Sequence, residues 1–108
     1  MKLSVDKAPT RKVFETMTII DLFEGQDFAF DFVIAELNGE HPETVNRVSD
    51  RVYFVLEGEG VAVVAGESIN VKKDDLVKIK ANTAHSISGE LKFIIITSPP
   101  FDSRNEVI

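Results

Sequence analysis

The sequence predicts an all-β fold, an antiparallel sandwich or barrel, and three observations carry that prediction. From residue 51 onward short β-branched runs follow one another closely: "RVYFVLE", "GVAVVAG", "ESINVKK", "DLVKIK", "AHSIS" and "LKFIIIT". Between them stand "GEG", "AGE", "KKDD", "ANT" and "SGE", and turn signals at so short a spacing mark antiparallel strands. No segment sustains the 3.6-residue apolar period of an amphipathic helix, so little helix is expected.

Taken in order, residues 1–16 mix Lys, Pro, Thr and Arg without a period and read as an arm, ordered by what it packs on. "TMTIIDLF" (16–23) is β-branched and apolar, a strand, with "EGQD" as its turn. In "FAFDFVIAEL" (28–37), Phe28, Phe30, Phe32 and Ile34 share one face and Ala29, Asp31, Val33, Ala35 and Leu37 the other. Both faces are largely apolar, which predicts a strand covered on both sides. "NGEHPETVNRVSD" (38–50) carries Gly, Pro, Asn, Ser and Asp and reads as a long loop. "VKKDDLVKIK" places Lys72, Lys73, Asp74 and Asp75 at a solvated hairpin tip, and Glu57 and Glu59 of "EGEG" bracket a turn. Pro99 and Pro100 cannot continue a central strand. They divide a barrel domain, 17–98, from a tail, 99–108, whose Phe101 tucks against the barrel or a second subunit.

With 108 residues the chain is one domain, and any site lies within a single core. The formal net charge of -6 opposes the clustered basic surface that phosphate backbones need, so nucleic acid is excluded as a partner. Cysteine is absent, which removes disulfides, thiolate nucleophiles and thiolate metal sites together. "MKLSVDKAPTRK" has no apolar leader segment, and no apolar run reaches the roughly 20 residues of a membrane helix. The expectation is a cytoplasmic protein without membrane contact.

"VLEGEG" (55–60) and "ANTAH" (81–85) occur together, joined by the cadence "KKDDLVKIKANTAH" with 15 residues between Gly58 and Asp74. On these residues the chain resembles the cupins, over roughly residues 28–97. The resemblance implies a double-stranded β-helix, or jelly-roll, barrel. The family's first motif is G-x5-H-x-H-x3-4-E-x6-G. Anchored on Gly58, it sets Arg51 at the glutamate, Val45 and Arg47 at the histidines and Gly39 at the leading glycine. With the other spacer the histidine positions fall on Thr44 and Asn46. The second motif, G-x5-P-x-G-x2-H-x3-N, keeps its histidine as His85, while Asp74, Lys80, Asn82 and Gly89 stand at its other positions.

In the family three histidines and a glutamate hold iron, manganese, nickel or zinc. An arginine stays protonated and has no lone pair for a cation, so the resemblance implies a degenerate metal site and no metal cofactor. Three readings of Arg51 stand side by side. It is a buried arginine neutralised by Asp31, Glu36 or Asp50. Or, with Arg47, His85 and Tyr53, it makes the barrel interior a pocket for a small anionic metabolite: a sugar acid, keto acid or nucleotide-linked sugar. Alternation along the strand points Arg51, Tyr53 and Val55 to the same face. Or the metal has moved to His41, His85 and a carboxylate, as in an iron, manganese, nickel or zinc oxygenase. If the chain is an enzyme of the metal-free sugar isomerase or epimerase kind, His85 is the base and Tyr53 the proton donor. Family members commonly pair, which implies a homodimer.

Overall fold

The computed structural model describes residues 2–23 and 28–108; the expected "EGQD" turn lies outside them. Eight strands follow in chain order: β1 (Thr10–Val13), β2 (Met17–Phe23), β3 (Asp31–Asn46), β4 (Asp50–Val64), β5 (Glu67–Lys72), β6 (Leu76–Ile79), β7 (His85–Ser98) and β8 (Glu106–Val107). Two short 3-10 turns, Val5–Lys7 and Ser103–Asn105, are the only helical pieces among the described residues, as the missing 3.6 period predicts. All pairings are antiparallel, in the order β1-β2-β3-β7-β4-β5, with β6 on β4 and β8 on β3. The arm is therefore not free of the barrel, because β1 pairs with β2 from Thr10↔Ile20 to Val13↔Met17.

The expected loop 38–50 is not a loop. β3 runs through it to Asn46, and its two breakers have other uses. Pro42, which has no N–H to give a ladder, sits in the bulge where pairing with β7 skips from His41↔Ile87 to Thr44↔His85. Gly39 pairs with Gly89, and Gly89 pairs on its other side with Gly60, so three glycines cross three adjacent strands in one row. The "GEG" and "SGE" segments are likewise not turns: β4 and β7 each pass straight through them as one long strand.

What the row permits is close approach. A side chain at Gly60 would fall inside the Ser88 carbonyl oxygen, and one at Gly89 would lie 2.6 Å from the Glu59 carbonyl oxygen and 2.7 Å from the Gly60 Cα. Real side-chain carbons never come so near, so the crease exists only with glycine there. Its consequence appears at the ends of β7. His85 and Thr97 stand twelve residues apart, about 40 Å in a straight strand. Here β7 doubles back until both reach the guanidinium of Arg51.

Inside, the alternating residues pack as the pattern predicts. Met17, Ile19, Val33, Ala35, Leu37, Tyr53, Val55, Val77, Ile79, Ile87, Leu91 and Phe93 form one buried cluster. Val55 and Phe93 are fully enclosed. The other face of "FVIAEL" is covered too: Ile34 is buried, and Phe32 stacks on Phe23 at 6.1 Å. Strand β7 stops at Ser98, before the two prolines. Beyond them the tail folds back, and Ser49 Oγ donates to the Pro99 carbonyl (2.7 Å), the Phe101 N–H to Asp31 Oδ2 (2.6 Å) and the Arg47 N–H to the Asn105 carbonyl (2.9 Å).

Candidate functional site

One end of the barrel holds a cavity of about 310 Å³. Met17, Ile19, Val33, Ile87, Phe93 and Ile95 are among its apolar lining, and Arg51, His41, Thr44, Tyr53, Thr97 and Glu106 are among its polar lining, with Arg11 and Asp31 adding further charges. Arg51 points inward because it alternates with Tyr53 and Val55 on β4, and all three are buried.

The guanidinium is held at each nitrogen. Nη2 pairs with Glu106 Oε1 at 2.8 Å, Nη1 donates to His85 Nε2 at 3.3 Å, and Nε donates to Thr97 Oγ1 at 3.4 Å. Phe101 lies against it, its ring centroid 5.8 Å from Cζ. Arg51 is 9% exposed and Glu106 15%, so the pair neutralises two charges largely withdrawn from water. The buried-arginine reading therefore holds, with a different carboxylate. Asp31 accepts from the Phe101 amide, Glu36 is exposed, and Asp50 accepts from the Ala81 amide beside Lys80.

His85 donates from Nδ1 to the Thr83 carbonyl at 2.9 Å. A carbonyl can only accept, so the proton is on Nδ1 and the Nε2 lone pair faces Arg51 Nη1, with Thr44 Oγ1 at 3.5 Å. Burial pushes its pKa down, the Arg51 charge adds to this, and the Thr83 hydrogen bond, Glu106 and Glu43 oppose it. His41 is fixed in the same manner. Its Nδ1 donates to the Pro42 carbonyl at 2.9 Å, and its ring meets Phe14 edge-on at 5.0 Å. Burial lowers its pKa as well, against the Pro42 hydrogen bond and with His85 and Arg51 contributing. Tyr53 is enclosed, its ring 5.1 Å from Phe93 and 6.2 Å from His85, and burial raises its pKa while Arg51 acts the other way.

These shifts have a sign in stability. Folded histidines with depressed pKa values bind fewer protons than the unfolded chain, so the fold loses stability as pH falls below about 6.5. Unfolding free energy measured from pH 7 down to 5 is expected to fall, and the slope in that window to flatten in His85→Gln; an unchanged slope would show that His85 does not titrate on unfolding.

Of the residues the sequence nominates, Arg51, Tyr53 and His41 line this cavity, His85 is buried behind Arg51 without lining it, and Arg47 lies outside. β3 has ended at Asn46, so Arg47 is exposed, with its backbone on Asn105 and its side chain outside the pocket. Glu106 is the residue that sequence reasoning misses. Burying an arginine calls for a carboxylate, but nothing local in "RNEVI" says which one returns across 55 positions. Among the described residues no three His, Asp or Glu side chains converge in the manner of a metal site, so His41 and His85 gain no carboxylate there. No helix of the described residues is long and apolar enough to cross a membrane.

Comparison with known proteins agrees with the fold. The uncharacterized protein MJ1618 of Methanocaldococcus jannaschii is 31% identical over 64 residues, which is 56% of this chain and 51% of that protein. The chain thus spans about half the length of the curated relatives it matches. Among solved structures, Pac13, described as a unique nucleoside dehydratase, superposes with a TM-score of 0.89 at 22% identity, over 99% of this chain and 88% of that one. A tyrosine variant of Streptomyces PAC13 with uridine gives 0.90 at 21% identity over the same shares. KdgF from Halomonas sp. gives 0.84 at 14% identity, over 94% of this chain and 96% of its own. At these identities the likeness speaks for the fold. The Cupin domain family matches residues 32–97, from the start of β3 to the end of β7, and with that match the chain belongs to the cupins.

Proposed function

We propose that this cupin binds a small, oxygen-rich metabolite with an acidic group in the barrel interior, without a metal. The observation that carries the reading is Arg51: a guanidinium, buried in the wall of the cavity, at the position the family motif gives to a carboxylate ligand. Of its five N–H donors, three go to Glu106, His85 and Thr97 and a fourth meets the Tyr53 hydroxyl, which leaves one for an oxygen of a ligand. A carboxylate or phosphate oxygen accepts a charge-assisted hydrogen bond from it. Sugar acids, keto acids and nucleotide-linked sugars are the candidate classes, and the cavity volume suits one sugar or one nucleoside.

The divalent ion that the fold family implies does not fit these residues. A permanent cation stands between His85 and Glu106, the His85 lone pair points at it, and the carboxylate is already committed to it. Titration of the purified chain with a panel of small acids, with and without a strong chelator, is expected to give the same affinities. Binding that chelator abolishes and added iron, manganese, nickel or zinc restores would overturn the metal-free reading.

One observation favours a second reading, a proton-transfer enzyme. His41 is neutral with its proton on Nδ1, so its Nε2 lone pair is open, and no described residue bonds to it. His85 Nε2 is occupied by Arg51. In this pocket His41 is thus the better-placed base, and Tyr53 the donor across from it. The likeness to a nucleoside dehydratase makes nucleosides the first substrates to try. In deuterated water, incorporation of deuterium at carbon should vanish in His41→Gln and persist in His85→Gln; the reverse pattern would return the role to His85.

A further inference from the structure

One oxygen in the pocket is left over. Glu106 commits Oε1 to Arg51, while Oε2 is buried with no hydrogen-bond partner. A carboxylate oxygen taken from water and given no donor is a cost that folded proteins rarely leave standing without a reason. Nor is Glu106 there by slack. The tail is pinned on both sides of it, by pairing of Asn46↔Glu106 and Val45↔Val107, by the Arg47 to Asn105 backbone bond, and by Phe101 on Asp31. Beside it Arg51 keeps one N–H donor beyond those that Glu106, His85, Thr97 and Tyr53 engage. The two groups together are neutral, and both residues line the cavity.

Resting on the pocket reading above, we infer that Glu106 is a specificity-determining residue. The Arg51–Glu106 couple reads a hydroxyl that lies next to an acceptor oxygen in the ligand, as in a vicinal diol or an α-hydroxy carboxylate. The acceptor oxygen takes the remaining guanidinium N–H, and the hydroxyl donates to Glu106 Oε2. A keto acid offers acceptors alone and leaves that oxygen as it was, so among the candidate classes hydroxylated acids and sugars are preferred. The sequence offers no sign of this preference, because it depends on a residue outside both family motifs.

Matched compounds test it on the full chain. Lactate against pyruvate forms the acid pair, and uridine against 2′,3′-dideoxyuridine the diol pair, each followed by the amide and imidazole resonances of Tyr53, His85 and Thr97. In the wild type the hydroxylated member of at least one pair is expected to bind about tenfold more tightly or better, because its analogue leaves a buried polar group unpaired. The pair that responds distinguishes an acid from a diol. In Glu106→Met the preference should disappear while the remaining member still binds. Equal binding within both pairs overturns the inference and leaves the pocket reading intact. Failure of all four compounds to move pocket resonances overturns the pocket reading itself. Since the preference is measured first in the wild type, the outcome stands even if the variant folds poorly.

Discussion

Gly60→Ala lowers the stability of this protein by about 3 kcal/mol, the upper end of what overpacking usually costs. The added methyl has nowhere to go. It would overlap the Ser88 carbonyl oxygen and press on Leu91 Cδ1 at 3.0 Å, in the middle of the β4–β7 ladder. Backbone atoms on two long paired strands cannot step aside as a surface side chain would. For a domain of this size each kcal/mol shifts the melting temperature by roughly 4–8 °C, so the expected drop is about 12–24 °C. Gly66 is the control: it turns between β4 and β5 with nothing near its Cβ position, and its alanine variant carries only the strain of a positive φ. Thermal unfolding of the two variants side by side decides the matter, and equal melting temperatures would mean that the crease tolerates a side chain.

Arg51→Met removes binding of acidic ligands and destabilises the fold at the same time. A charge-assisted hydrogen bond is worth about 1.5–3 kcal/mol, so losing it weakens binding by roughly 10- to 150-fold. For the fold, the change strips Glu106 of its ion-pair partner and His85 of the donor on its Nε2. Breaking a buried pair on one side costs about 3–5 kcal/mol when both charges are sealed. Glu106 keeps an edge to solvent, which reduces the expected cost to about 2–3 kcal/mol. The double variant Arg51→Met, Glu106→Met should regain most of that loss, because two apolar side chains replace the pair without stranding a charge. A double variant no more stable than either single one would show that the ion pair contributes little. Calorimetric titration with a small carboxylate and denaturant unfolding of the four proteins give both answers from one set of samples.

Much of the fold is legible because alternation is a local property. Arg51, Tyr53 and Val55 had to share a face, the runs after residue 51 had to be strands, and Pro99–Pro100 had to stop the last of them; each statement needs only neighbouring residues. What the sequence hides are uses of glycine and proline that depend on another strand. Gly39, Gly60 and Gly89 look like turn residues, and they serve as the low side of a crossing; Pro42 looks like a loop, and it occupies a bulge. The site divides on the same line. Its arginine, its tyrosine and His85 carry motif or alternation signals, while His41 is nominated only as the second histidine of the chain. Glu106 lies in a tail with no pattern of its own, and Arg47 attracts attention because the motif anchored on Gly58 sets it at a histidine position. Proximity along the chain suggested Asp31, Glu36 or Asp50 as the counter-charge, and closure of the barrel chose another.

The doubling of β7 gives Arg51 a second office. It ties a strand's opening residue, His85, to its next-to-last, Thr97, as a buckle joins the two ends of a belt whose fold is at Gly89. Whatever draws an N–H away from either end lets out that belt. One side chain thus belongs both to the cavity wall and to the closure of the barrel.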